Sequence, residues 1–254
     1  MLIVKKYSDL FENENENYNH IEKNIFLSWK SKDIIDLNFS IIKNGIYNLK
    51  KMNPEWKLII NDDNEVDAYI KKHIPIEDYN LIKDRHIVEK TDLWRLLKIY
   101  NEGGMYMDID RLYNISLTDL IGKDRKNIRC ILPTYKNFDF AQDIMISASK
   151  NKIFKKAIEI NLEKRRKGEK NICEMGPGAF IMAVSEVLTG KTFYRGRCGG
   201  HLVQLRKEIK KTDFLDTYVE NPPFNTLTYR GKPVLFDKNA LYKHCSVIPH
   251  GQSS

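Results

Sequence analysis

Residues 103–111 read Gly-Gly-Met-Tyr-Met-Asp-Ile-Asp-Arg, and they follow a run, Val88 to Tyr100, in which Leu93, Leu96, Leu97 and Tyr100 recur at i, i+3, i+4 and i+7. That spacing predicts an amphipathic helix, with Gly103 as its left-handed stop. The apolar residues after the glycine pair predict a strand that ends in two aspartates. Residues i and i+2 of a strand point to one face, so Asp108 and Asp110 present hard oxygen ligands together while Ile109 stays in the core. Such a pair suits Mg²⁺ or Mn²⁺, which can hold phosphate oxygens in turn. An isolated Asp-x-Asp triplet is also found as two turn carboxylates bonded to local backbone, and the preceding helix favours the ligand reading. There Asp92 and Arg95 lie one turn apart on the other face. They form either a surface ion pair worth about 0.3–0.5 kcal/mol, or a pair in which Asp92 accepts from sugar hydroxyls while the Arg95 fork donates to them or to a phosphate.

Outward from this stretch the pattern alternates. Asp36 to Met52 reads as a helix ending before Pro54, and the strand WKLII follows at 56–60. Asn127 to Leu132 reads as a later strand and Lys152 to Arg166 as a later helix. Strand-helix-strand order predicts an α/β fold: a mixed, mostly parallel Rossmann-like sheet flanked by helices. One domain is expected over 1–254, with its core at about 20–190 and 191–254 as a C-terminal part, which the family resemblance given below implies completes the acceptor and metal site. FENENEN at 11–17 reads as a polar loop, YRGRCGG at 194–200 as another, and VLFDKNALYKHCSVIPHG at 234–251 as a final strand and tail. Ligands of such a sheet bind beyond the carboxyl ends of its strands, which places Trp29, Asn61, Asp62 and Asp110 on one rim. Asp62 and Asp63 either cap a turn there or touch a nucleoside.

Composition narrows the class. Hydrophobic residues make up 42% of the 254, enough for a globular core, and no apolar run of about 18 residues predicts a membrane span. The start MLIVKKYSDLF lacks the order of a signal peptide, so a cytoplasmic location is expected. Cys130, Cys173, Cys198 and Cys245 have no Cys-x-x-Cys spacing, which argues against a zinc knuckle or redox motif. The net charge of +8 raises the possibility of a nucleic-acid partner. However, the basic runs at 163–170 and 206–211 contain glutamates and no aromatic residues, so solvated helix faces are expected rather than a nucleic-acid groove. The charge would still draw in an anionic nucleotide sugar, an anionic acceptor polymer or, peripherally, an anionic surface.

TDLWRLLKIYNEGGMYMDIDR, at 91–111, resembles the helix, Gly-Gly and Asp-x-Asp signature of the sugar-binding glycosyltransferases of family 32. These include outer-chain mannosyltransferases and capsular polysaccharide enzymes, and the glucosylating domain of large clostridial toxins looks like a more distant relative. NIFLSWK (24–30), NPEWKLIINDD (53–63), QDIMISASKNKIF (142–154) and GPGAF (176–180) resemble further family segments in the same order. The resemblance implies a GT-A fold and a retaining, metal-dependent transfer of a hexose from a nucleotide-diphosphate sugar to a glycan or polysaccharide. A UDP-sugar is the favoured donor and GDP-mannose an alternative. It also implies that Trp29, otherwise a core anchor, stacks on the nucleotide base, and that Asp143 is a polar group near the anomeric carbon. Gly176, Pro177 and Gly178 would bring backbone close to the donor or acceptor, the alternative being an ordinary tight turn. By the same resemblance His244 supplies a third metal ligand. The Ser-Trp that commonly follows in the family is missing, which leaves His250 as the alternative. Asp110 is expected to be the principal metal ligand, with Asp108 reaching the metal through water or binding ribose and sugar hydroxyls. Two other classes also fit an Asp pair: a phosphosugar or nucleotidyl transferase or phosphohydrolase, and a silent carbohydrate- or nucleic-acid-binding module.

Overall fold

The computed structural model describes residues 20–32, 40–109, 112–113, 116–121, 130–134, 140, 142–192, 216–221, 226–229 and 232–236. The first half alternates as expected: β1 (Asn24–Ser28), α1 (Ser40–Met52), β2 (Lys57–Asn61), α2 (Asp63–His73), α3 (Ile76–Ile82), α4 (Ile87–Glu102) and β3 (Gly104–Met107). Then come β4 (Leu112–Tyr113), α5 (Leu117–Ile121), β5 (Cys130–Thr134), β6 (Ile144–Ser147), α6 (Lys152–Arg166), a π-helical turn (Glu174–Gly178) and α7 (Ala179–Thr189). Where the sequence suggested one late strand, three form: β7 (Asp216–Asn221), β8 (Thr226–Tyr229) and β9 (Lys232–Phe236). The strand expected at 127–132 is observed at 130–134, and the stretches 11–17, 36–39, 194–200 and 237–254 lie outside the described residues.

The nine strands form one mixed sheet in the order β2-β1-β3-β6-β5-β7-β8-β9-β4. β1 runs parallel to β2 and β3, and β5 parallel to β7, while β6 is antiparallel to both β3 and β5. Strand alternation divides the core between the two faces. Ile25, Leu27, Met105, Met107, Ile144 and Ile146 join Leu49 and Trp56 on one side. Phe26, Tyr106 and Met145 join Trp94, Phe154 and Phe180 on the other, beneath α4, α6 and α7. By the same period of two, Asp108 shares the face of Tyr106 and looks toward α4.

Helix α4 is not the amphipathic surface helix that its leucines suggested. Every residue from Asp92 to Ile99 is buried, polar ones included, because α2, α6, the π-helical turn and the sheet enclose it. Lys98 is accommodated by placing its Nζ 4.1 Å from the Tyr69 ring centre and 2.7 Å from Glu102. The turn into β3 depends on both glycines. Gly103 has φ +65° and Gly104 φ +108°, and a Cβ on either would lie 2.8 Å from Ser149 N or 2.6 Å from Asn24 O. Side chains rarely adopt such φ values, so the chain reverses here at the only residue type that fits.

Candidate functional site

The parallel strands bring their carboxyl ends to one edge. Ser28 pairs with Asn61, and Trp29 N donates to Asn61 O at 3.1 Å, so residues 32 positions apart meet directly after β1 and β2. Asp62 serves as the N-cap of α2: its carboxylate accepts from Glu65 N at 2.9 Å, and Glu65 Oε2 accepts from Asp62 N at 3.2 Å. This reciprocal capping box satisfies two otherwise orphaned helix donors. Asn61 Nδ2 donates to the same Glu65 carboxylate at 3.2 Å. Asp108 follows β3 at this edge. Its N–H donates to Asp143 O at 2.7 Å, because β6 runs antiparallel to β3 with Ile144 opposite Met107.

Arg95 is the hub. Its Nη2 lies 3.1 Å from Asp92 Oδ1 and its Nη1 lies 3.2 Å from Asp108 Oδ1. Nη1 also donates to Gln142 O at 3.0 Å, and Nε to Thr91 O at 3.3 Å. The guanidinium rests 4.6 Å from the centre of the Tyr106 ring, whose hydroxyl donates to Asp108 Oδ1 at 2.6 Å. One buried cation therefore ties a helix carboxylate to the strand-end carboxylate and to the backbone before β6. Such a guanidinium keeps its charge and its planar fork in the interior. Burial pulls its basicity down, yet Tyr106, Asp108, Asp92 and Asp143 together hold it above its usual value. The Tyr106 phenol is lifted far above its ordinary range, chiefly by burial, and so stays a donor to Asp108.

The third component is the turn at Gly176, Pro177 and Gly178, which is π-helical rather than a loop. Gly176 packs directly on Asp92: a Cβ there would sit 2.2 Å from Asp92 Oδ2 and 2.8 Å from its Cγ. Gln142 Nε2 donates to Gly176 O at 3.1 Å. Single π-helical turns are rare and concentrate at functional sites.

Burial also raises the Asp92 carboxyl from 3.8 to about 6, against the opposing pull of Arg95. A carboxyl raised in the folded state contributes stability below its unfolded value and loses it as pH rises through the folded one. Thermal melts should therefore show stability falling between about pH 4 and about pH 6, and Asp92→Asn should flatten that part of the curve. An unchanged profile in the variant would place the titration elsewhere.

Residues 41–127 match the family described as glycosyltransferase sugar-binding region containing DXD motif. A solved structure titled PaToxG Glycosyltransferase superposes with a TM-score of 0.50 at 20% identity, covering 76% of this chain and 78% of that one. The chain thus carries a region similar to the DXD sugar-binding region of glycosyltransferases, within a fold like that of the solved glycosyltransferase. No curated protein matches it. The match ends past the Asp-x-Asp and spans α4, while the solved structure shares the fold around it.

Within this fold, α4 and β3 bring Asp92, Arg95 and Asp108 together. Gln142 and Asp143 reach them from the segment before β6, and Gly176 from the π-helical turn. Trp29, Asn61 and Asp62 form the neighbouring edge after β1 and β2. Asp110, His244 and His250 lie outside the described residues. Tyr106 and Gln142 belong to the cluster although sequence reasoning passed over both. The signal for Tyr106 was present, since it stands two residues before Asp108 on the same strand face. Gln142 opens the segment 142–154 that the family resemblance had marked, but its own role was not legible, because its contacts cross 34 and 47 positions. Among the described residues no three His, Cys, Asp or Glu side chains gather as a closed metal cage. Asp108, at the described end of β3, offers the hard carboxylate oxygen that Mg²⁺ and Mn²⁺ take. No helix among the described residues is long and apolar enough to cross a membrane.

Proposed function

We propose that the chain is a metal-dependent, retaining hexosyltransferase. Its donor would be a nucleotide-diphosphate sugar, most favourably a UDP-sugar, and its acceptor a glycan or polysaccharide. The observation that carries this reading is the buried Asp92–Arg95 pair joined to the partly exposed Asp108 at the carboxyl end of β3. Asp92 and Arg95 offer an acceptor and a donor in fixed geometry, suited to the paired hydroxyls of a sugar. Three carboxylates, Asp92, Asp108 and Asp143, surround the one guanidinium. A diphosphate would meet net negative charge there, so binding requires a divalent cation, held by Asp110 with Asp108 alongside. When bound, such a cation stabilises the charge left on the departing diphosphate.

The protein's own groups do the rest. Arg95 keeps Asp108 and Asp92 in register and adds positive charge beside the departing oxygens. Trp29 supplies a flat surface for the base, and Gly176 lets backbone approach the sugar. In the retaining reaction the bond from the anomeric carbon to the diphosphate oxygen breaks while a bond to the acceptor oxygen forms on the same face. The acceptor proton passes to the departing phosphate, so no dedicated base is needed. Asp143 is the polar group assigned to the neighbourhood of the anomeric carbon.

The test is hydrolysis of a panel of nucleotide sugars with Mn²⁺ or Mg²⁺, followed as free sugar released. Asp108→Ala and Asp110→Ala should each abolish metal-dependent release without loss of fold. Full activity in either variant would overturn the assignment, and release of phosphate in place of sugar would indicate a phosphohydrolase.

A further inference from the structure

The π-helical turn that presents Gly176 to Asp92 is held by side chains from outside it. Lys164 Nζ donates to Glu174 O at 2.9 Å, Asn161 Nδ2 to Met175 O at 2.6 Å and Gln142 Nε2 to Gly176 O at 3.1 Å. Three consecutive carbonyls are thus each fixed by a different residue. Asn161 is fully buried, and its amide has a single workable orientation, because Arg165 Nε donates to Asn161 Oδ1 at 2.8 Å. Arg165 is fixed in turn. Its Nη1 donates to Glu89 Oε2 at 3.0 Å and its Nη2 to Glu89 O at 3.3 Å, one turn before Asp92 on α4. The contacts close a ring that runs from Glu89 through Arg165, Asn161, Met175 and Gly176 to Asp92, and back along the helix to Glu89.

We propose that Asn161, locked by the buried Arg165–Glu89 pair, is a positioning residue for the sugar-facing carboxylate: it fixes the turn that fixes Asp92. The inference rests on the donor reading above. A buried hydrogen bond that only stabilised the fold could end on any backbone group, whereas this one ends beside the glycine whose missing Cβ makes room for Asp92. The ring spans α4, α6 and the turn and all its members are buried, so a shift at Asn161 passes to Asp92 through packed contacts.

Asn161→Asp separates the two contacts, since the carboxylate keeps an acceptor for Arg165 and loses the donor to Met175 O. Calorimetry with Mn²⁺ would compare UDP-glucose, UDP-N-acetylglucosamine and GDP-mannose with UDP and GDP. For the sugar nucleotide that the wild-type protein prefers, binding should weaken about tenfold, while the bare nucleotide changes by less than about twofold. Arg166→Ala, on the same helix as Asn161, breaks an ion pair with Asp78 of α3 and should change neither. Wild-type affinities in folded Asn161→Asp, or equal weakening of nucleotide and sugar nucleotide, would overturn the proposal. If that variant does not fold, Lys164→Met should give about a threefold selective weakening, and unchanged affinities there would overturn it equally. Failure of the donor reading shows separately, as Asp92→Asn with undiminished sugar-nucleotide binding, or as a wild-type protein with no metal-linked affinity for any probe.

Discussion

Arg95→Lys is expected to lower donor turnover by about a thousandfold while the protein still folds, in line with the loss of a preorganised charged donor. The guanidinium serves Asp92, Asp108 and the Gln142 carbonyl at once, at 3.0–3.2 Å. An ammonium retains the charge but cannot reproduce this planar fork, so it can hold one carboxylate well and must release the other. Keeping the charge avoids leaving the buried carboxylates uncompensated, which would cost about 3–5 kcal/mol and confuse activity with unfolding. Steady-state hydrolysis of the preferred nucleotide sugar, measured beside a thermal melt, decides the matter. Turnover within about threefold of wild type would mean that the guanidinium only holds the fold together, since a lost charged donor ordinarily costs far more.

Gly176→Ala is expected to reduce turnover about a hundredfold, because displacing a group that orients substrate by about 1 Å has effects of that order. The added methyl would lie 2.2 Å from Asp92 Oδ2, well inside contact distance, so either the carboxylate or the turn must move. Neither moves easily. Asp92 is held by Arg95, and the turn by Lys164, Asn161 and Gln142. A stability loss of about 1–3 kcal/mol should accompany the change, as for overpacked cores in general. Steady-state rates and melts of this variant test both parts, and wild-type turnover would show that the turn does not act on the reaction through Asp92.

Much of this architecture was legible in the chain. Local signals gave α6 at its observed limits, the strand at 56–60 to within a residue, and the Gly-Gly reversal into β3, because period, capping and backbone freedom act over a few residues; the first strand came from the family resemblance. Signals failed where the structure depends on distant partners. The leucines of α4 suggested one apolar stripe, but four neighbouring elements enclose the helix and bury its polar face as well. Residues beyond 190 suggested one strand, yet β7 to β9 extend the sheet by pairing with β5 and β4. Gly-Pro-Gly suggested a loop that brings backbone close to the ligand, or else an ordinary tight turn, and only contacts from α6 and the segment before β6 show it to be a braced π-helical turn.

By itself the sequence determined which residue types could do the chemistry: a strand-end Asp-x-Asp, an Asp and Arg one helical turn earlier, and two glycines that no other residue could replace. These follow from periodicities of 3.6 and 2 and from backbone sterics, all local. Only the tertiary structure decided that the Asp92–Arg95 pair is buried rather than exposed, that Arg95 links it to Asp108, and that Gly176 rests on Asp92. Contacts across tens of residues are chosen by packing. An ion pair nearly negligible on a helix surface becomes a rigid, strongly coupled centre once the surrounding elements exclude water from it.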